Sequence, residues 1–237
     1  MAASIFAVIR EDFVGELDAI RQLVTTFDSH GKTAKARIAA ANSATLLVAA
    51  TFEEFVREMA REHARAVVAR TASFDKLPKK LAATAWKRSM ESLARVRFDV
   101  EQAARENLMV DTLARFLVVY EFVKGDLTQD IYRDLIHNEN NMRPNELNSM
   151  FNVAGLSDVC AKVCDKPALL AFFGEIEPGK ARGKLIAAFE EFFERRNGIA
   201  HALNPGQSSA PEQIVTDLDM LQAFSEAMSQ TLDALIS

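Results

Sequence analysis

Residues 181–201 read Ala-Arg-Gly-Lys-Leu-Ile-Ala-Ala-Phe-Glu-Glu-Phe-Phe-Glu-Arg-Arg-Asn-Gly-Ile-Ala-His. Through Arg196 the apolar positions Ile186, Phe189, Phe192 and Phe193 recur at helical spacing, the signature of a helix with one buried side. Asn197-Gly198 predicts the end of that helix, since Asn and Gly are common C-terminal residues. Outward from here the same period repeats. In residues 4–28, Phe6, Ile9, Phe13, Leu17, Ile20 and Val24 fall three or four apart. A break at 28–32 separates them from a long helix expected over 33–73. That helix has an apolar stripe of Phe52, Phe55, Val56, Met59 and Val67. Its other face carries Glu54, Arg57, Glu58, Arg61, Glu62 and Arg65, spaced for ion pairs. After Pro78, helices are expected over 79–107, containing Trp86, and over 109–125, whose dense apolar content suits the centre of a bundle. Residues 128–136 read as a short helix, and 137–144 as an Asn-rich polar insert. Pro144 suits the first turn of a helix ending near Gly155, and another short helix carries Cys160 and Cys164. Residues 177–180 read as a loop. Ser209-Ala210-Pro211-Glu212 forms a capping box opening the last helix. The expected fold is all-α, one domain over 1–237, with seven to eight helices.

Composition agrees. The chain has 237 residues, 49% of them hydrophobic, a net charge of −5, and only 9 Gly and 6 Pro. This excludes intrinsic disorder and disfavours a multi-stranded β fold. The negative charge excludes nucleic-acid binding through bulk charge, though not through a local basic cleft. Cys160 and Cys164, four apart, suit neither a disulfide nor, without nearby His, a zinc site. They read as core residues of a reducing compartment. The longest apolar stretch, about 44–52, is too short for a bilayer, and residues 1–12 do not resemble a signal peptide. A cytoplasmic protein without membrane contact is expected.

The chemistry-bearing string is Glu194-Arg195-Arg196-Asn197-Gly198-Ile199-Ala200-His201. On an unbroken helix Arg196 and His201 point about 140° apart. A break at Gly198 would aim both into one cleft. His201 could then take the proton of a ribose 2′-OH, or in its charged form protonate a leaving 5′-oxygen. The fork of Arg196 could hold a phosphate, with Asn197 orienting the His or donating to a phosphate oxygen. The plainer alternative pairs Arg196 with Glu191 or Glu194 and leaves His201 a packing or capping role.

Arg196-Asn197-Gly198-Ile199-Ala200-His201 resembles the R-x4-6-H motif of the HEPN superfamily, helical-bundle proteins that are mostly RNases. Asn141-Met142-Arg143-Pro144 and the short helix after it resemble the segment preceding the motif in RiboL-PSP-type HEPN domains. The Leu77-Pro78 turn is in keeping with that group. The resemblance covers about 33–237, leaving 4–28 as an extra N-terminal helix. It implies a metal-independent endoribonuclease with no cofactor, whose two proton-transfer groups come together in a homodimer. It also implies a toxin or defence setting with an antitoxin or defence-system partner. The alternative is a non-catalytic HEPN-like module that binds nucleotide, RNA or a protein.

Secondary candidates follow. Asn141, Arg143 and Asn138 could line the cleft, or simply build a turn. Arg195 could hold phosphate but is expected to pair with Glu191 or Glu194. Lys180, Arg182 and Lys184 read as a solvated face. The basic run from Lys76 to Arg97 could track phosphates. His30, His63 and His137 have no assigned role.

Overall fold

The computed structural model describes residues 3–28, 32–97, 99, 101–136, 141–201 and 209–236. The expected roles of Asn138, His30 and His137 lie outside them. Among the described residues there are ten α-helices and no strand. These are α1 (Ile5–Asp28), α2 (Ala34–Ala69), α3 (Lys79–Ala94), α4 (Gln102–Val123), α5 (Tyr132–Leu135), α6 (Pro144–Val153), α7 (Val159–Val163), α8 (Pro167–Phe173), α9 (Pro178–His201) and α10 (Pro211–Ile236). Eight of the ten have seven residues or more, matching the all-α expectation.

The chain divides into two compact units. The first comprises Met1–Met59, Asn140–Asn148 and Asp158–Ser237; the second comprises Ala60–Glu139 and Ser149–Ser157. In the first, α1 packs along α10, α8 packs on both α9 and α10, and α7 packs on α9. The periodic residues of α1 are its buried ones: Phe6, Phe13, Leu17, Ile20 and Val24. The core is aromatic. Phe52 of α2 lies 5.3 Å from Phe189, 6.2 Å from Phe193 and 5.6 Å from Phe224, ring centre to ring centre. Phe13 stacks on Phe55 at 4.2 Å. Phe52 is fully buried, so Phe52→Ala would cost about 3–5 kcal/mol in lost transfer energy and cavity formation.

In the second unit α3 and α4 form an antiparallel pair, with α5 against α3. Trp86 meets Phe116 at 5.3 Å, and Phe74 meets Phe122 at 6.1 Å. Gly155 has φ +90°, and a side chain there would meet the ring of Pro78. This places a glycine requirement at the end of α6.

Several boundaries differ from expectation. The helix expected over 79–107 is interrupted after Ala94. Arg95 leaves it with φ −87° and ψ 0°, and Arg97 pairs with Asp99 at 2.6 Å. Residues two apart do not face each other on a helix, so that pair belongs to non-helical chain. The α4 helix is not the central one. Leu108, Met109, Val110, Leu113, Leu117 and Tyr120 are exposed, and only Thr112, Val119 and Phe122 are buried. Residues 178–180, expected as loop, form the first turn of α9. Pro178 occupies its first position, where no amide is needed, and the Glu177 carbonyl accepts from the amides of Lys180 and Ala181. The α8 helix was not foreseen; Pro167 starts it and Gly174, at φ +62°, closes it. Ser209 accepts a hydrogen bond from the Thr45 hydroxyl at 3.3 Å, while the Ala210 carbonyl takes the first amides of α10.

Candidate functional site

The largest departure concerns Gly198. The α9 helix does not stop there; it runs unbroken to His201. A glycine inside a helix costs only about 1 kcal/mol against alanine. The buried Leu185, Phe189, Phe192 and Phe193 hold the helix down over the preceding turns. The re-aiming break expected between Arg196 and His201 is therefore absent, and the two residues leave the helix about 140° apart.

Helical geometry says where each one goes. Arg196 continues the direction of Phe189, two turns earlier, and so points towards α2, which meets α9 through Phe52. It is part-buried, with its Nε closed off from solvent and without a hydrogen-bond partner. The next residue after Phe52 is Glu53. Its Oε1 is likewise closed off and without a partner. Burial pushes the Glu53 carboxyl above its ordinary range, against the opposing pull of the Arg196 and Arg57 guanidiniums. His201 lies on another side of α9 and is exposed.

Asn197 stands between them, about 100° round from Arg196 and one turn before His201. Its side-chain oxygen accepts two hydrogen bonds, from Arg196 Nη1 at 3.1 Å and from Asn141 Nδ2 at 2.8 Å. Arg143 pairs with Glu190, two turns before Asn197 on the same side of α9. Asn141 and Arg143 thus anchor the segment before α6 along α9. The structure brings Arg196, Asn197, Asn141 and Arg143 together beside α9. Arg195 it commits elsewhere. Its Nη2 donates to both carboxylate oxygens of Asp217, at 2.7 and 2.8 Å, and Gln213 adds a third bond to that carboxylate at 3.1 Å. Burial raises the Asp217 carboxyl, and the Arg195 bond opposes the shift. Arg195, expected to pair with Glu191 or Glu194, pairs with Asp217 instead; Arg196 pairs with neither glutamate.

Other cations are satisfied locally. Lys180 holds Glu177 at 2.7 Å, Arg182 holds Asp158 at 3.0 Å and Lys184 holds Glu175 at 2.6 Å. Within the basic run 76–97, Arg88 donates to the Leu135 carbonyl and Lys87 lies 3.7 Å from Glu91, while Lys76, Lys79 and Lys80 are exposed. The two thiols are buried and far from thiolate character. Burial pushes Cys160 up to about 12 and Cys164 up to about 11. Among the described residues, no cluster of three His, Cys, Asp or Glu side chains is placed to hold a metal. No helix among them is long and apolar enough to cross a membrane.

Sequence reading missed Glu53 and Glu190. Glu190 carries a weak signal, since it lies seven residues before Asn197 and therefore on its face. Glu53 carries none, because its relation to Arg196 depends on how α2 packs against α9. No curated protein and no solved structure matches the chain. The RiboL-PSP-HEPN family matches residues 12–234, beginning inside α1. With the all-helical fold and nearly the whole chain matched, the protein belongs to the RiboL-PSP-HEPN family.

Proposed function

We propose that this protein is a metal-independent endoribonuclease that cuts single-stranded or loop RNA at a site shared by two chains. The family points to a nuclease or RNA-related role. One observation carries the finer reading. Lys180, Arg182, Lys184 and Arg195 of α9 each hold a carboxylate. Arg196 instead hydrogen-bonds a neutral amide and makes no ion pair among the described residues. A part-buried fork with no carboxylate in direct contact is suited to a phosphate.

In this reading Arg196 grips the phosphate and stabilises charge growing on its oxygens. Asn197 fixes the guanidinium, and Asn141 fixes Asn197. His201 transfers a proton, from the 2′-OH or to the leaving 5′-oxygen. The straight α9 sends Arg196 and His201 in different directions, so a cleft at a two-fold axis would combine Arg196 of one chain with the partner's His201. The biological setting we propose is that of a toxin or defence component in the cytoplasm, held in check by a cognate partner. The test is incubation of the protein with RNA in excess EDTA, beside Arg196→Ala and His201→Ala. Cleavage by the wild type alone supports the proposal. Intact RNA, or equal cleavage by the variants, refutes it.

A second reading, a non-catalytic module binding nucleotide, RNA or protein, draws on the acidic surroundings. Glu53 lies beside Arg196 and Glu190 occupies Arg143, which weakens a purely electrostatic grip on RNA. It predicts a dimer that binds without cutting.

A further inference from the structure

Proton-transfer cleavage of RNA needs one group to take the 2′ proton and another to supply the 5′ proton. The motif has a single His, and the straight α9 directs it away from Arg196. A second titratable group does lie beside Arg196. Glu53 follows Phe52, the residue through which α2 meets Phe189 and Phe193 of α9. Arg196 continues that same stripe of α9, so packing of the aromatic core brings the carboxyl within electrostatic range of the guanidinium. Glu53 is only partly buried as a residue, although its Oε1 is closed off from solvent and without a hydrogen-bond partner. A carboxylate acceptor and a guanidinium donor set side by side match a hydroxyl next to a phosphate, the arrangement found at every ribose of RNA.

Resting on the ribonuclease reading above, we propose that Glu53 is the second proton-transfer group, the base that takes the 2′-OH proton while Arg196 holds the adjacent phosphate. The 2′-oxygen then bonds to phosphorus as its proton moves to the Glu53 carboxylate. The bond from phosphorus to the 5′-oxygen breaks, and that oxygen takes the proton of the partner's His201 in its charged form. The products are a 2′,3′-cyclic phosphate and a 5′-hydroxyl, and water returns both side chains to their starting states. The charged groups facing Glu53 are Arg196 from α9 and Arg57 from its own helix. Its burial, which raises the carboxyl, makes it a better proton acceptor than an exposed glutamate.

The experiment compares wild type, Glu53→Gln, Glu53→Asp and His201→Ala on two versions of one RNA oligonucleotide. One has the natural 5′-oxygen at the cleaved bond; the other has a bridging 5′-sulfur, which leaves without needing a proton. On the natural RNA, Glu53→Gln and His201→Ala are each expected to lose about 10²-fold or more, the range of a general base or acid. On the sulfur substrate His201→Ala recovers to near the wild-type rate and Glu53→Gln does not. The wild-type rate rises with pH as Glu53 ionises, and Glu53→Gln lacks that rise. Glu53→Asp keeps it, with a lower plateau. Melting curves show whether Glu53→Gln is folded; should it not be, Glu53→Asp decides the matter through its rising limb. The proposal is overturned if Glu53→Gln cuts the natural RNA at the wild-type rate, keeps the rising limb, or is rescued by sulfur as His201→Ala is. In those cases the ribonuclease reading survives alone. If the wild type leaves RNA intact, both fall together.

Discussion

The two ends of α9 carry similar basic residues and use them differently. At the N-terminal end Lys180, Arg182 and Lys184 each close on a carboxylate within 3.0 Å. At the C-terminal end Arg195 does the same with Asp217, yet its neighbour Arg196 is held by Asn197 and electrostatically by Glu53. The difference follows from helical position. Residues 195 and 196 are about 100° apart, so one faces α10 and the other faces α2. Sequence adjacency therefore says little about role; a structural cation and a candidate phosphate ligand sit side by side.

Breaking this contrast at Arg196 should have the largest effect. Arg196→Ala is expected to reduce RNA cleavage about 10³-fold, the order seen for loss of a preorganised charge-stabilising donor. Arg196→Lys should restore little, since a point charge does not reproduce the fork. Arg182→Ala, at the other end, should leave the cleavage rate within about twofold; turnover of a labelled oligonucleotide measures all three. A comparable loss in Arg182→Ala would erase the distinction between the ends.

The histidines make a parallel contrast, this time in stability. His201 is exposed, whereas His63 in the second unit is buried near Phe151 with neither ring nitrogen hydrogen-bonded. Burial lowers the His63 pKa to about 4 from its usual 6.5. The unfolded chain then binds a proton that the folded chain refuses. Stability is full above pH 6.5 and falls as pH drops towards 4, by about 3 kcal/mol at most. Denaturant melts across that window should show the slope in wild type and its loss in His63→Gln. An unchanged slope would show that other groups set the acid response.

Smaller effects sharpen the picture. Asp217→Ala leaves Arg195 part-buried without its carboxylate and should cost about 2 kcal/mol in folding free energy, read from denaturant midpoints. Its effect on cleavage should follow fraction folded only. Asn197→Ala should reduce cleavage about tenfold at nearly constant stability, since it frees Arg196 and Asn141 from their shared acceptor. Lys180→Ala and Lys184→Ala should change stability by less than about 0.5 kcal/mol, as exposed ion pairs do.

Much of the fold was legible in the sequence because its helices are amphipathic. The stripe of α1 names its buried residues one by one; that of α9 names Phe189, Phe192 and Phe193, while Leu185 rather than Ile186 completes its buried side. The interruption after Ala94 was not legible, because neither Gly nor Pro marks it. The exposed face of α4 was not legible either, since a helix apolar on all sides does not say which side is covered. At the site, the motif and the segment resembling the family named Arg196, Asn197, Asn141 and Arg143, but not the bonds by which the Asn197 oxygen joins Arg196 to Asn141. Gly198 misled, because its freedom to break a helix is not an obligation to do so. Asp217 and Glu53 lie on other helices, and only tertiary packing assigns the first to Arg195 and the second to Arg196.

The central claim is an RNA-cleaving site that joins Arg196 of one chain to the partner's His201. Mixing inactive Arg196→Ala with inactive His201→Ala, after dissociation and reassociation, tests it directly. Half the dimers would then be mixed, and each mixed dimer would carry one intact site, so activity should return to about one quarter of wild type. A mixture as inactive as its components would contradict the shared site.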